Sequence, residues 1–272
     1  MLLAIDIGST NITLGLLSSG ALVHTFRLQS RREQTADEYA LALAQLFELE
    51  GVARQIGAAV IASVVPSLTA PLASAVRRAF GREALIVDAA SDLGLRLAVD
   101  RPAEVGVDRL VNAVALRHEL LAASAIVDGE GADTGAGAIG VDLGTATTLD
   151  CLSPRAEFLG GVIVPGLRVG LDALLARTAR LPAVPLVAPA RTLGKNTIEC
   201  LQSGVVYGYA ALLDGLVARL KAELGFECRV VATGGLAEVV APHTTCIERV
   251  APDLTLRGLW LIYERNVRRA AP

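Results

Sequence analysis

Histidine and aromatic side chains are scarce in this chain, and its cysteines are few and scattered. Only His24, His118 and His243 occur among 272 residues, none beside a serine or cysteine in a nucleophile motif, so a Ser-His-Asp or Cys-His hydrolase finds little support. Cys151, Cys200, Cys228 and Cys246 form no C-x-x-C pair and no cluster with histidine. That argues against a zinc site or a dithiol redox motif and reads as four reduced, buried thiols. Lys and Arg come in ones and twos and the formal net charge is −3, which leaves no extended basic surface for a nucleic-acid backbone. No uninterrupted apolar run approaches the roughly eighteen residues of a membrane span. The first ten residues carry Asp6 and no basic segment, so no signal peptide is expected. Neither nucleic acid nor membrane is an expected partner, and the expected location is the cytoplasm.

What the chain has in quantity is small and aliphatic. Hydrophobic residues make up 53% and aromatic ones 4%, a composition for a core of Ala, Leu and Val in which helices pack on sheets. The length allows one large domain or two of ordinary size.

An internal repeat favours two. The segment Ala4-Ile5-Asp6-Ile7-Gly8-Ser9-Thr10-Asn11 returns half a chain later as Gly140-Val141-Asp142-Leu143-Gly144-Thr145-Ala146-Thr147. In each copy an apolar run reads as a buried strand, a carboxylate sits where it emerges, and glycine with small hydroxyl residues makes the turn. Glycine lets backbone approach a bulky anion, and Ser9, Thr10, Asn11, Thr145 and Thr147 add neutral donors. Aspartate repels phosphate oxygens, so the natural partner of Asp6 and Asp142 is a cation, or water on one. One copy alone is equally an ordinary turn that caps a strand; two at matching positions point to a phosphate-handling device used twice.

The rest of the chain repeats around these turns. Residues 2–6, 12–17 and 21–28 read as an antiparallel meander. A helix over 35–50 follows, with Thr35 as N-cap, Glu38 as its capping-box partner and Gly51 as stop. A strand at 58–65, a helix from Pro66 to about 80 and a strand at 84–87 imply a parallel portion. Residues 102–106 lead into a helix through about 122, and the Gly/Ala/Asp-rich stretch 123–138 reads as a connection. Strands at 138–142, 147–152 and 157–163 echo the first meander. Pro165-Gly166 starts a helix, 181–189 is an extended proline-rich loop, 198–224 a long Ala/Leu helix, 229–232 a strand and Gly234-Gly235 a turn into a helix, and the chain closes on a helix through Trp260. Asp108 falls in the first turn of the helix after Gly106, with Asn112 four residues on along the same face. Alone, Asp108 and Arg109 read more simply as a solvated helix-start acid and its neighbour. Gly194-Lys195-Asn196-Thr197 is no P-loop, because Pro189 stands where that motif needs its first glycine.

Duplicated meanders with an Asp-x-Gly-hydroxyl turn after the first strand resemble the ribonuclease-H-like, actin-like ATPase superfamily of sugar kinases, actin and heat-shock chaperone ATPases. The implied fold is α/β, two lobes of mixed sheets flanked by helices with an interlobe cleft for nucleotide: residues 1–122 as N-terminal lobe, 123–137 as linker and 138–272 as C-terminal lobe. Within the superfamily the chain is similar to type III pantothenate kinases. Asp6-Ile7-Gly8-Ser9-Thr10-Asn11, Gly106-Val107-Asp108-Arg109, Val141-Asp142-Leu143-Gly144-Thr145-Ala146-Thr147-Thr148, Gly160-Gly161-Val162-Ile163-Val164-Pro165-Gly166 and Gly194-Lys195-Asn196-Thr197 occur in that family's order.

The resemblance implies that Asp6, Ile7, Gly8, Ser9, Thr10, Asn11, Ile12 and Thr13 line the phosphates of ATP, with Thr145 contributing from the second turn. It implies that Asp142 binds a monovalent cation, K+ or NH4+, and that ATP comes with Mg2+. Gly106, Val107, Asp108, Arg109 and Thr197 would hold pantothenate, Asp108 acting as the base for its primary hydroxyl. The product would be 4′-phosphopantothenate, on the way to coenzyme A, and the expected assembly is a homodimer. Two positions depart from the family. Ser9 stands where the first loop normally has asparagine, and Val99 where a tyrosine meets the substrate. These keep open a kinase for another small hydroxyl compound, or a nucleotide-binding regulatory protein with little activity.

Overall fold

The computed structural model describes residues 1–88, 90–123 and 135–270. The connection expected at 123–137 therefore lies mostly outside the described residues. Strands β1 (Leu2–Ile7), β2 (Asn11–Ser18) and β3 (Ala21–Gln29) form the first meander, followed by helix α1 (Ala36–Leu49), strand β4 (Ala58–Ser63), helix α2 (Pro66–Phe80) and strand β5 (Ala84–Ile86). Helix α3 (Val107–Ala123) precedes the second meander of β6 (Gly137–Leu143), β7 (Ala146–Leu152) and β8 (Phe158–Pro165). Then come α4 (Leu167–Ala176), α5 (Thr197–Leu224), β9 (Cys228–Thr233), the single-turn α6 (Ala237–Val240), β10 (Arg249–Val250) and α7 (Leu254–Ala270).

The two five-stranded sheets have one topology. The first runs β3-β2-β1-β4-β5 and the second β8-β7-β6-β9-β10; in each the central strand pairs antiparallel with its hairpin partner and parallel with the strand on its other side. Duplication thus holds at the level of strand order. Contacts divide the chain into two compact units that do not follow chain order. Met1–Leu95, Asp100–Ala115 and the stretch from Asp253 form unit 1; Arg96–Val99 and Leu116–Pro252 form unit 2. The last helix thus groups with the first sheet, whereas a division in sequence order places it in the C-terminal lobe.

In unit 1, Leu3, Ile5, Ile7, Ile12, Leu14 and Leu16 point to one face of the sheet and are buried against Tyr39, Leu43 and Phe47 of α1 and Leu68 and Leu72 of α2. Alternation along the strands sends Asp6, Thr13 and Gly15 to the other face. There α7 covers the sheet: a Cβ on Gly15 would stand 2.7 Å from Leu256 Cδ1, and one on Gly20 3.1 Å from the Trp260 ring. The α1 start is the expected capping box, the Thr35 hydroxyl accepting from Glu38 N and Glu38 Oε2 from Thr35 N at 2.7 Å. In unit 2, Ile139, Val141, Leu143 and Leu149 pack against Leu171 of α4 and Ala210, Leu213 and Val217 of α5. Residues 96–99 add an edge to the same sheet, Ala98 N donating to Phe158 O and Phe158 N to Arg96 O, both at 2.8 Å.

By length and composition α5 is the one described helix that could cross a bilayer. One face of it is buried in the unit 2 core; the other exposes Gly204, Gly208, Gly215 and Leu212, and nothing lies within 4 Å of a Cβ on any of the three glycines. The four cysteines are free, but only Cys151 and Cys228 are buried; Cys200 is exposed on α5 and Cys246 partly so. The expectation of four buried thiols therefore fails at Cys200, since a free thiol's tendency to burial cannot tell which face of an amphipathic helix it rides.

Candidate active site

The first turn follows from the register of β1 and β2. Asp6 pairs with Thr13 and Ile7 with Ile12, leaving Gly8 to Asn11 to span the hairpin. The Ile7 and Ile12 side chains are fully buried, so of the residues expected to face ATP these two offer only backbone. Ser9, Thr10 and Asn11 are exposed, Asp6 and Thr13 half-buried. Gly8 N donates to Asn11 O at 3.0 Å, Ser30 N to Thr10 O at 3.0 Å and Ser30 Oγ to Gly8 O at 2.6 Å. The carbonyls of the turn are thus turned inward onto donors of the chain. Across the sheet Arg27 pairs with Thr13, which sets an exposed cation one strand beyond the turn. Neither Ser30 nor Arg27 was foreseeable from the motif, because both arrive through strand pairing.

The second turn is shorter by one residue. Asp142 pairs with Thr148 and Leu143 with Thr147, so only Gly144, Thr145 and Ala146 lie between the last paired positions. The ungapped match of the two motifs places Thr147 opposite Asn11, but the register places it opposite Ile12, and like Ile12 it is fully buried. Its hydroxyl is therefore not one of the donors the turn presents. Thr145 is exposed, and its carbonyl accepts from Gly166 N at 3.1 Å. Gly166 must be glycine, since a Cβ would meet Thr145 O at 2.2 Å. Asp142 is flanked by another: Gly234, after β9, has φ +93°, and a Cβ on it would lie 2.5 Å from Asp142 Oδ1. Asp142 Oδ1 thus lies in a confined, glycine-lined position, and a carboxylate oxygen is the type of ligand that suits a hard cation. Among the described residues no cluster of three or more His, Cys, Asp or Glu forms a metal cage.

Asp108 lies in the first turn of α3 with its Oδ1 accepting from Arg109 N at 2.8 Å. A Cβ on Gly106 would collide with that oxygen at 2.6 Å, so the glycine before the helix makes room for the carboxylate to fold back. Burial pushes the Asp108 carboxyl above the ordinary aspartate value of 3.8, and the hydrogen bond and charge of Arg109 offset this in part. Asn112, one turn on, is buried and accepts from Thr255 Oγ1 of α7 at 2.7 Å, while a Cβ on Gly258 of α7 would strike Val111 O at 2.2 Å. Helix α7 is thereby sandwiched between α3 and the sheet face that carries Asp6. Asp108 and the first turn accordingly belong to one side of unit 1.

Thr197 is the exposed first residue of α5. Asn196 caps the helix by accepting from Glu199 N at 2.9 Å, and Glu199 Oε2 accepts in turn from Lys195 N at 2.8 Å. The proline-rich segment before it is strapped to α5: Gln202 donates to Pro185 O, Ser203 to Thr192 O and Tyr207 to Pro189 O. The Gly194 to Thr197 segment is thus a helix-start loop on a pinned extended strap, not a strand-fed P-loop.

Paired sheets of identical order, each with an Asp-x-Gly turn after its first strand, define an actin-like phosphotransferase fold. Solved structures agree on the fold. One is described as a Baf family transcriptional activator from Campylobacter jejuni (TM-score 0.59, 18% identity, 98% of this chain and 99% of that one). Another is described as a 2-dehydro-3-deoxygalactonokinase from Sinorhizobium meliloti (TM-score 0.56, 14% identity, 97% and 96%). The family model for type III pantothenate kinase matches residues 2–219. Type III pantothenate kinases from Moorella thermoacetica and Myxococcus xanthus are 45% and 40% identical to the chain, each over 98% of it and 100% and 99% of their own lengths. The chain belongs to the type III pantothenate kinase family.

Proposed function

We propose that the chain transfers the γ-phosphoryl group of ATP to the primary hydroxyl of pantothenate, giving 4′-phosphopantothenate and ADP on the route to coenzyme A. The observation that carries the reading is full-length membership of the family together with Asp108, held half-buried at the start of α3 by a glycine that leaves it room. Asp108 accepts the hydroxyl proton, the freed oxygen forms a bond to the γ-phosphorus, and the bond from that phosphorus to the β,γ-bridging oxygen breaks. Such transfer asks the protein chiefly for alignment and charge neutralisation.

Backbone of Asp6 to Thr13, the Ser9, Thr10, Asn11 and Thr13 side chains, and Thr145 hold the ATP phosphates. Gly106, Val107, Arg109 and Thr197 position pantothenate. Asp6 and Asp142, carboxylates beside the two turns, are the residues that would hold Mg2+ on the nucleotide and K+ or NH4+, and those ions would neutralise phosphate charge. The assembly is a homodimer and works in the cytoplasm; the exposed face of α5 around Gly208 and Leu212 is the surface that supports self-association.

The test is ADP release measured with pantothenate and a panel of other small alcohols, with K+ or NH4+ present and then omitted. Turnover confined to pantothenate and dependent on the cation upholds the reading. Val99 favours one competing reading, a kinase for a different hydroxyl compound, and turnover of another alcohol in preference to pantothenate would establish it. Nucleotide binding with no turnover of any acceptor would mark a regulatory protein instead.

A further inference from the structure

The first turn contains its own weak point. Gly8 can swing its following peptide more freely than any other residue type, and a flip of the Gly8–Ser9 peptide would replace an N–H by a carbonyl facing the bound phosphate. The structure shows what opposes this. Ser30, just past the end of β3 and far from the motif in sequence, donates Oγ to Gly8 O at 2.6 Å and N to Thr10 O at 3.0 Å. A trans peptide is planar, with its N–H pointing opposite to its C=O. Tying the Gly8 and Thr10 carbonyls to Ser30 therefore aims the N–H groups of Ser9 and Asn11 to the opposite side. Both donors are preset in direction before any anion arrives, which is the condition under which backbone dipoles stabilise charge well.

We infer that Ser30 is a positioning residue for ATP: its hydroxyl locks the Gly8–Ser9 peptide with the N–H toward the phosphates. This rests on the reading of residues 6 to 13 as the ATP phosphate turn. The second turn meets the same need by other means, its Thr145 carbonyl accepting from Gly166 N, a backbone donor, at 3.1 Å. The first turn relies on a side-chain hydroxyl and is thus open to a point substitution.

The experiment titrates the full chain with the β,γ-imido analogue of ATP in Mg2+ by calorimetry and measures KM for ATP and for pantothenate. Ser30→Ala keeps the backbone bond to Thr10 and removes only the tie to Gly8. It is expected to weaken analogue binding by about tenfold and raise KM for ATP alike, with KM for pantothenate and the melting temperature little changed. Ser30→Thr, which keeps a hydroxyl, recovers most of the loss. A companion variant, Gly8→Ala, puts a Cβ 3.0 Å from Asn11 O. Unchanged binding in Ser30→Ala alongside weakened binding in Gly8→Ala overturns the role of Ser30 and leaves the phosphate turn standing. Unchanged binding in both overturns the turn reading and Ser30 with it. An equal rise in both KM values with a lower melting temperature also overturns it, since the hydroxyl then serves only the fold.

Discussion

Gly234 and Asp142 lie close in a way that only glycine permits: the Gly234 backbone has φ +93°, and a Cβ there would stand 2.5 Å from Asp142 Oδ1. Gly234→Ala therefore displaces the carboxylate as well as straining its own backbone, the latter by about 1–2 kcal/mol. The expected outcome is a melting temperature several degrees lower and a blunted rate response to K+. Gly235→Ala, where a Cβ meets nothing within 4 Å, is expected to match wild type in both. Equal K+ activation in wild type and Gly234→Ala would separate Asp142 from the cation.

Asp108→Asn is expected to cut turnover by roughly 10²–10⁴-fold, the usual worth of a general base, while ATP still binds. Its effect on stability has the opposite sign. Burial raises the folded-state pKa of Asp108 above its value in the unfolded chain, so this group's contribution favours the fold below the unfolded pKa and is lost as pH rises through the folded one. At neutral pH the ionised carboxylate is thus a cost, and Asp108→Asn is expected to melt at or above the wild-type temperature. The same shift requires that activity fall on acidification at a pH above the ordinary aspartate value of 3.8. Thermal melting of the variant and a pH–rate profile of the wild type check both points.

Much of this was legible in the sequence because the signals are local. Alternating apolar residues marked the two meanders, Thr35 and Glu38 announced the α1 capping box, and the repeated Asp-x-Gly turn announced the duplication. What escaped is what strand pairing and tertiary contact decide. Register shortens the second turn and buries Thr147, which no ungapped comparison of motifs reveals. Helix α7 joins unit 1 because its Leu256 and Gly258 fit Gly15 and Val111, residues far away in the chain. In the same closing helix Arg265 Nε donates to Asp92 Oδ1 at 2.8 Å, a contact between residues far apart in the chain that no local pattern announces. Ser30 and Arg27 carry no motif and reach the site only through the β2–β3 ladder.

The exposed face of α5 bears on assembly. A glycine in mid-helix costs about 1 kcal/mol relative to alanine, and Gly204, Gly208 and Gly215 have no neighbour within 4 Å that would require their small size. A second copy packed closely on this face would supply the reason. Sedimentation is expected to give twice the 28.3 kDa of the chain, and Gly208→Glu combined with Leu212→Glu is expected to shift it to the single-chain mass. A wild-type chain that sediments as a monomer across micromolar concentrations would remove the dimer.

Val99 offers a gain-of-function test of the acceptor. It sits in the short edge segment paired to Phe158, with its Cγ1 3.5 Å from where a Cβ on Gly160 would stand, and it is only partly buried. The adjoining Gly160 backbone has φ +99° and no side chain, so a larger residue at 99 has room to lie over it. Val99→Tyr adds an aromatic wall and a hydroxyl, contacts that together amount to roughly 1–2 kcal/mol. If pantothenate is the acceptor, KM for it should fall several-fold while KM for ATP stays constant, because the ATP-binding turns are untouched. An unchanged pantothenate KM, with another alcohol of the panel turned over better by the wild type, would identify Val99 as part of a pocket shaped for that other compound.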